Sequence, residues 1–146
     1  MLLAQSYLGE IKMSERPLPK LDELDTAEFW AATKEKELRY QQCANCNKIT
    51  FYPRRVCTGC TNSKLEWKVS KGVGSIYSFS IVRLSYHPFF KQQLPYVVAL
   101  IDLDEGFRIL SNVVGHDAEL VKIGMSVSLE WESHEALNIP LFKPVV

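Results

Sequence analysis

Apolar and polar residues alternate through much of the second half of the chain, and this two-residue period is typical of β-strands with one buried face. In residues 71–82, the apolar side chains of Val73, Tyr77, Phe79 and Ile81 fall on one side of the predicted strand. Glycines at the start of this stretch ease a bend there. We therefore predict a long strand with these four side chains in the core.

A hairpin follows this strand. Residues 96–103 are nearly all apolar, and Asp104-Glu105-Gly106 turns the chain into a second strand at residues 107–114. Five short strands with one small helical insertion between the third and fourth fit a small closed barrel, for which the OB-fold is the common solution. The remaining predicted elements are a helical turn within 116–121 and strands at 124–132 and 139–142.

The first third of the chain predicts one helix. Asp25 is a candidate N-cap, and Glu28 stands three residues later, as in a capping box. Ala27, Trp30 and Ala31 then recur at helical spacing, so one face of the helix is apolar. Such a helix either packs on its own domain, which we favour, or forms an arm that docks on a partner.

Two pairs of cysteines organise the middle of the chain. Cys43 and Cys46, and then Cys57 and Cys60, each enclose two residues, and ten residues separate the pairs. A two-residue gap lets one tight turn aim two sulfurs at one point, so two such turns can supply a tetrahedron of thiolates. Disulfides belong to oxidising compartments, and thioredoxin-like chemistry uses a single pair beside a βαβ unit. The spacing therefore predicts a structural zinc ion, with iron as the alternative metal.

Short alternating runs at 38–42, 48–52 and 65–69 flank the cysteine pairs. They predict a module with little core of its own, which needs its metal ion to fold. Asn47, after the first pair, tolerates a left-handed backbone well, whereas Thr61, in the matching place after the second pair, tolerates it poorly. We therefore expect one of the two cysteine turns to be less regular than the other.

Composition places the chain among ordinary soluble globular proteins. It has 146 residues, of which 47% are hydrophobic and 23% charged, and its formal net charge is zero. A neutral chain is a poor candidate for a dedicated nucleic-acid binder held by phosphate contacts. The charge is unevenly distributed, however. Residues 37–70 contain six Lys and Arg and two Asp and Glu, whereas residues 71–146 contain six Lys and Arg and eight Asp and Glu.

Targeting signals are not evident in the sequence. No apolar run reaches the length needed to cross a bilayer, and the first twelve residues lack the basic start and long apolar stretch of a secretory signal. Met13 offers an alternative start, which would make those residues an optional tail. A cytoplasmic protein is expected.

A series of short motifs runs through the chain in a specific order. They are Phe29-Trp30 on the helix, CANC and CTGC at the cysteine pairs, Phe51-Tyr52-Pro53-Arg54 between them, Trp67, GVGSIYS at 72–78, PYVVAL at 95–100, Glu105-Gly106 and IGM at 123–125. Together they resemble, from Arg16 onward, a family that pairs a rubredoxin-like zinc ribbon with an OB-fold and was long filed as a domain of unknown function. In the second cysteine pair, that family often has Pro after the first cysteine and Gly after the second, whereas this chain has Thr58 and Thr61 at these positions.

The resemblance implies a mainly β fold in three parts. Residues 1–36 form an N-terminal tail and helical arm, residues 37–69 a rubredoxin-like zinc ribbon with four cysteine ligands, and residues 70–146 a five-stranded OB-fold barrel. Members of the family look like acyl-CoA-associated partners of thiolases and related condensing enzymes, and of hydratases and aldolases.

The residues themselves argue against independent catalysis. All four cysteines are used by the metal, and a zinc ion with four sulfur ligands has no open position at which to activate water. His87, His116 and His134 lie in separate loop-like stretches, and none of them belongs to a Ser/His/Asp arrangement of the kind that nucleophilic catalysis uses. We expect surface roles for these histidines and no enzymatic activity without a partner.

Binding of CoA requires cations for its phosphates and an apolar channel for its acyl or pantetheine arm. Arg54 and Arg55, between the cysteine pairs, are candidates for the phosphates because a guanidinium can hold a phosphate through two hydrogen bonds. The loop at 84–95 is a candidate for the arm, and its phenylalanines are either covered by a ligand or partner, or folded over the barrel mouth. The candidate ligand-binding residues are Arg54, Arg55, Arg83, His87, Phe89, Phe90 and Lys91.

The sequence therefore predicts a non-catalytic protein that binds acyl-CoA or CoA and acts as the partner or scaffold of a thiolase-type enzyme, such as an acetyl-CoA acetyltransferase or HMG-CoA synthase. The alternative is a nucleic-acid-binding module, because zinc ribbons and OB-folds both bind strands and Tyr77 and Phe79 could stack on bases. The acidic balance of the barrel opposes this alternative. So does the alternation that groups Tyr77 and Phe79 with core positions.

Overall fold

The computed structural model describes residues 15–145, so the proposed alternative start at Met13 and the tail before it lie outside the described residues. Two β-sheets and two short helices make up the fold. The elements are α1 (Ala27–Lys34), β1 (Arg39–Cys43), β2 (Ile49–Thr50), β3 (Leu65–Val69), β4 (Val73–Val82), α2 (Pro88–Lys91), β5 (Tyr96–Leu103), β6 (Arg108–Val113), a 3-10 turn (Ala118–Leu120), β7 (Ser126–Ser133) and β8 (Asn138–Pro144).

The first sheet carries the cysteines. Its strands are antiparallel in the order β2-β1-β3. β2 is shorter than predicted because the chain leaves the sheet after Thr50. Beyond Thr50, the buried side-chain amide of Gln41 in β1 holds the chain in place of strand pairing. It donates to the Arg54 carbonyl at 3.0 Å and accepts from the Arg54 N–H at 2.8 Å.

The second sheet is a closed five-stranded barrel in the order β4-β5-β6-β8-β7, as the strand pattern and the family resemblance predicted. Four of its pairings are antiparallel, while β6 and β8 close the barrel in parallel through one residue pair, Val113 with Phe142. β5 alternates between buried and half-buried side chains. The buried interior is formed mainly by Ile76, Val97, Ala99, Ile101, Leu103, Ile109, Val113, Val127 and Phe142.

The predicted inward row on β4 is wrong in its first half. Val73 and Tyr77 are exposed, whereas Ile76 is 1% exposed. The pairing of β4 with β5 runs from Ile76–Ile101 directly to Ser78–Leu100, so Tyr77 is the extra residue of a β-bulge. The bulge reverses the alternation, because one inserted residue shifts every later side chain to the other face.

Helix α1 begins later than predicted and has no capping box. Its N-cap is Thr26, whose side chain makes no capping hydrogen bond. A preceding backbone turn supplies the acceptor instead, since the N–H groups of Thr26 and Ala27 both donate to the Glu23 carbonyl. The helix packs on its own chain: Phe29 is buried, and the Asn138 amide donates to the Thr33 carbonyl at 2.8 Å.

Four aromatic side chains, Phe29, Tyr40, Phe51 and Phe107, join the helix, the ribbon and the barrel. The ring of Phe107, in the turn between β5 and β6, stacks on Phe51 with centroids 4.8 Å apart. Tyr40 lies 5.0 Å from the Phe107 ring, and Phe29 meets Phe51 edge-on at 5.7 Å. We call this cluster the aromatic junction, and it positions the ribbon against the barrel.

Candidate metal centre and ligand groove

The four cysteines meet at one point. Their sulfur atoms all lie within 4.8 Å of one another, with Cys43 and Cys60 at 3.6 Å and Cys46 and Cys57 at 3.5 Å. These separations are far longer than the roughly 2 Å of a disulfide. They fit a tetrahedron around zinc, whose Zn–S bonds of about 2.3 Å place the sulfurs about 3.8 Å apart. Cys43, Cys46, Cys57 and Cys60 therefore form a structural zinc site.

The two cysteine turns have the same geometry, so the expected irregularity is wrong. Asn47 and Thr61 both adopt left-handed backbones, with φ of 61° and 60°. The N–H of each donates to the carbonyl of the first cysteine of its own turn, at 3.0 Å in both cases. The need to aim two sulfurs at one ion outweighs the preference of a β-branched residue for negative φ.

Backbone and side-chain N–H groups donate to the cysteine sulfurs and favour the thiolate form of two of them. The N–H groups of Asn45 and Gly59 point at Cys43 and Cys57, with N–S distances of 3.4 and 3.3 Å. The Asn45 side chain donates to Cys60 and, as the main cause, lowers the pKa of that thiol to about 6. The pKa of Cys57 is lowered by backbone donors, first that of Cys60. Donors to sulfur favour the thiolate, which is the form that binds zinc.

The pKa of Cys46 moves the other way. The Lys48 backbone N–H lowers it, but hydrogen bonds with the sulfurs of Cys57, Cys60 and Cys43, together with desolvation, raise it to about 11. Sulfurs this close compete for protons because adjacent thiolates repel one another. A divalent cation between them removes that repulsion.

The predicted phosphate ligands lie on the loop between the two cysteine turns, and both are exposed. Arg54 donates from its guanidinium to the Pro53 carbonyl at 3.3 Å. Arg55 lines a shallow depression together with Asp22, Glu23 and Asp25. The surroundings of Arg55 are thus acidic, whereas Arg54 lies next to an apolar groove described below.

The predicted residues of the 84–95 loop form a separate group. Arg83 pairs with Glu119 at 2.6 Å, and the His87 ring nitrogen accepts from the Phe89 N–H as the N-cap of α2, which ends at Lys91. Phe89 and Phe90 are half-buried, with the Arg16 guanidinium over their rings at 5.2 and 5.3 Å. The structure therefore folds these two phenylalanines onto the chain rather than exposing them.

An apolar groove of about 330 Å³ lies where the helix, the ribbon and the barrel meet. The ribbon contributes residues 51–53, β6 contributes 109–112 and β8 contributes 139–141. Its full lining is Arg16, Thr26, Phe29, Trp30, Phe51, Tyr52, Pro53, Ile109, Leu110, Ser111, Asn112, Ile139, Pro140 and Leu141.

Sequence reasoning missed Arg16, which connects the groove with the 84–95 loop. Its guanidinium stacks on Phe89 and Phe90 and pairs with Glu132, with an Nε–Oε1 distance of 2.6 Å. Arg16 and Glu132 are 116 positions apart, so no local pattern announces the contact. It also missed Leu110, and it named Tyr52 only as part of a family motif. Their place in the groove shows in the structure, where each is a large side chain left about half exposed.

The three histidines do not assemble a catalytic group. His87 caps α2, His116 contacts the Asp117 carbonyl at 2.9 Å, and His134 lies 2.7 Å from a Glu132 carboxylate oxygen. Each contact is local, within two residues in the sequence. Within residues 15–145, no helix is long and apolar enough to span a membrane.

Comparison with known families identifies both sheets. Residues 30–66 match the model of the ChsH2 rubredoxin-like zinc ribbon domain, and residues 67–132 match that of the ChsH2 C-terminal OB-fold domain. This chain belongs to the ChsH2 family.

Relatives of this ChsH2-family chain include an enoyl-CoA hydratase subunit, a scaffold protein and an aldolase. A probable enoyl-CoA hydratase alpha subunit from Thermomonospora curvata is 36% identical over 90% of this chain, which spans 40% of that relative. A DUF35 domain-containing scaffold protein from Methanocaldococcus jannaschii is 39% identical over 67% of this chain and 70% of its own length. The solved structure titled Ltp2-ChsH2(DUF35) aldolase matches with a TM-score of 0.79 and 35% identity, covering 90% of this chain and all of the matched one.

Proposed function

We propose that this chain is a non-catalytic subunit that binds acyl-CoA or CoA and acts as the partner or scaffold of a thiolase-type acyl-CoA enzyme. The single observation that carries the proposal is the apolar groove at the ribbon–barrel junction, with the exposed Arg54 beside its ribbon wall. CoA thioesters have this combination of a phosphate-rich end and a thin, mostly neutral arm. The name of the enoyl-CoA hydratase relative supports the same ligand class, and the words subunit and scaffold in the names of two relatives support a role within complexes.

The chemistry of the described residues supports a non-catalytic role. Four thiolates saturate a zinc ion, which then lacks a position for water or substrate. The three histidines have local partners and do not converge on the groove. Catalytic groups would therefore come from the partner enzyme, and this chain would hold the ligand or the partner in place.

Arg54 is the better of the two proposed phosphate ligands on the ribbon. It lies next to Pro53 of the groove, whereas Arg55 shares its surroundings with three carboxylates that would repel a phosphate. The other proposed ligand residues, Arg83, His87, Phe89, Phe90 and Lys91, lie on the segment that Arg16 joins to the groove through its contact with the two phenylalanines.

Calorimetric titration with CoA tests the proposed contact between Arg54 and a phosphate group. Arg54→Ala should weaken CoA binding by about tenfold, because it removes charge-assisted hydrogen bonds to phosphate. The remaining affinity should depend less on salt, by analogy with lost phosphate contacts in other anion sites. Lys68→Ala removes the same charge from an exposed position of β3, a strand that contributes no residue to the groove lining, and is the matched control. Equal effects of the two substitutions would contradict a specific phosphate contact.

Steady-state assays test the non-catalytic role. The purified chain should show no turnover of acetyl-CoA or acetoacetyl-CoA, and it should co-purify with a thiolase-type enzyme from its own organism and change that enzyme's turnover. Appreciable turnover by the chain alone would refute the proposal.

A nucleic-acid-binding function remains the second candidate because of Tyr77. The alternation placed this residue in the core, but the structure leaves it 51% exposed on the barrel. However, the Arg108 guanidinium already lies 3.4 Å from the Tyr77 ring centroid and is paired with Asp102. A base would have to displace that contact in order to stack there. Micromolar binding of single-stranded DNA or RNA, without binding of CoA even in the presence of the enzyme partner, would favour this function over the first.

A further inference from the structure

The apolar groove follows a gap in the backbone pairing of β6 with β8, within the otherwise closed barrel. β6 and β8 pair through a single residue pair, Val113 with Phe142, and the preceding residues of the two strands, 109–112 and 139–141, both line the groove. An extended ligand would lie along this gap, roughly where a continuous strand pairing would otherwise run.

Two backbone groups along this gap, the Leu110 N–H and the Pro140 carbonyl, already have hydrogen-bond partners. The Leu110 N–H donates to the Tyr52 hydroxyl oxygen at 3.2 Å, and the Ser111 hydroxyl donates to the Pro140 carbonyl at 2.7 Å. A peptide that adds to a sheet edge relies on free backbone donors and acceptors. With these two groups satisfied, the gap favours a hydrocarbon chain over a peptide strand.

Both sides of the groove carry large apolar side chains. Phe29, Trp30 and Phe51 line its helix and ribbon side, and Ile139 and Leu141 line the barrel side. The volume of about 330 Å³ lies at the lower end of the range of small-ligand sites, which is about 300–1,000 Å³.

Positive charge lies at the edge of the groove. Arg54 is exposed, and its guanidinium donates to the carbonyl of Pro53 in the lining. Arg16 also lines the groove, but its charge is already paired with Glu132. An apolar interior with an exposed cation at the edge complements a ligand that has an apolar tail and an anionic head.

We propose that the acyl group of a CoA thioester lies in this groove, between β6, β8 and helix α1. The inference rests on the proposed function and specifies which part of the ligand the groove takes. It also moves the acyl site away from the 84–95 loop, whose two phenylalanines are engaged with Arg16.

Calorimetric titration with free CoA and a series of saturated acyl-CoAs of increasing chain length tests the groove directly. Affinity should rise about fourfold for each added methylene, as expected for burial of hydrocarbon, and should stop rising once the groove is full. Free CoA, which has no acyl group, sets the baseline that belongs to the proposed function alone.

Two matched substitutions separate the groove from other apolar surface. Leu110→Trp narrows the groove and should lower the chain length at which affinity stops rising. Leu120→Trp makes the same change at a leucine that is equally exposed, 57% against 56%, and does not line the groove. It should leave the chain-length series unchanged. Thermal unfolding and zinc content establish that both variants are folded.

Trp30 reports the position of the ligand. The chain has three tryptophans, so Trp67→Phe with Trp131→Phe leaves Trp30, in the groove lining, as the sole tryptophan. An acyl-CoA brominated at the end of its chain should quench this fluorescence, and free CoA should not.

The outcomes distinguish the two proposals. If free CoA binds but affinity does not depend on chain length, or if the brominated ligand leaves Trp30 unquenched, the acyl group lies elsewhere and only the groove inference fails. Equal effects of Leu110→Trp and Leu120→Trp would overturn it as well. If neither free CoA nor any acyl-CoA binds, the proposed function fails and the groove inference fails with it.

Discussion

At the scale of single residues, Thr61 shows how the metal site imposes a backbone on its sequence. A β-branched residue in the left-handed region is costly, yet Thr61 matches Asn47 within 1° in φ and in its turn hydrogen bond. Its hydroxyl donates to the Cys60 carbonyl at 2.7 Å. The cost of this conformation is therefore one that a substitution can relieve.

We predict that Thr61→Asn stabilises the protein by about 1 kcal/mol, because Asn adopts the left-handed backbone more readily. Thermal or denaturant unfolding of the zinc-loaded protein measures the effect. The reciprocal change at the matching position, Asn47→Thr, should destabilise it by a similar amount. A loss of stability in Thr61→Asn would show that the hydroxyl contact outweighs the strain.

At the scale of elements, Gly74 fixes the close approach of β4 to β5. A Cβ at this position would lie 2.2 Å from the Asp102 carbonyl oxygen, and neither backbone can move without breaking the pairing of Gly74 with Leu103. Gly74→Ala should therefore destabilise the barrel by about 3 kcal/mol or more, the upper end of the range for forced overpacking, because the clash is with backbone.

Denaturant unfolding measures the effect of Gly74→Ala, and Gly115→Ala is its control. Gly115 has a φ of +69°, but an added Cβ would meet nothing closer than 4.0 Å. The control therefore carries only the cost of backbone strain, about 1–2 kcal/mol. If Gly74→Ala were no worse than the control, the backbone clash would not be the constraint at this position.

The outer face of β5 and β6 carries an ion pair with a predictable pH dependence. Arg108 donates to both carboxylate oxygens of Asp102, at 2.6 and 3.0 Å, and lowers the pKa of that carboxyl. A lowered pKa contributes stability above the carboxyl's unfolded value of about 3.9, and the contribution is lost as the pH falls through the folded pKa.

Asp102→Asn should therefore lower the melting temperature slightly at neutral pH, and the difference from wild type should vanish in acid. The effect should be small because both partners are more than 40% exposed. Asp104→Asn, an equal change of charge in the neighbouring turn, is the control, and thermal unfolding across pH is the measurement. A difference that persists unchanged at low pH would assign the effect to packing instead of the ion pair.

At the scale of the whole molecule, the zinc site and the barrel are coupled through the aromatic junction. Phe51 lies between the cysteine turns and stacks on Phe107 of the barrel, while Tyr40 of β1 contacts the same ring. The barrel has its own core, which includes Ile101 and Phe142. Loss of the ion should therefore unfold the ribbon and release the junction without dissolving the barrel.

We predict about one zinc per chain in protein purified without added metal. Removal of the ion by a strong chelator, or by Cys43→Ser, should abolish the aromatic near-UV circular dichroism of the junction and lower the melting temperature, because zinc binding and ribbon folding are one process. The β-sheet signal of the barrel should persist. A coloured iron site would correct the metal, and an unchanged melting temperature would contradict its structural role.

Local sequence patterns predicted much of this architecture. The two-residue period located the barrel strands, Asp104-Glu105-Gly106 located a hairpin, and the spacing of Cys43 to Cys60 located the metal site. These features are accessible because alternation and short-range spacing directly determine which side chains share a face or a turn.

Only the tertiary structure decided which way some of these side chains point and where the groove lies. The bulge at Tyr77 depends on how β4 pairs with β5, and a count of alternating residues cannot locate an inserted one. The groove depends on β6 and β8 meeting at a single pair, and on Arg16 reaching Glu132 across the chain. Such contacts join residues that are distant in sequence, so packing and not local pattern determines them.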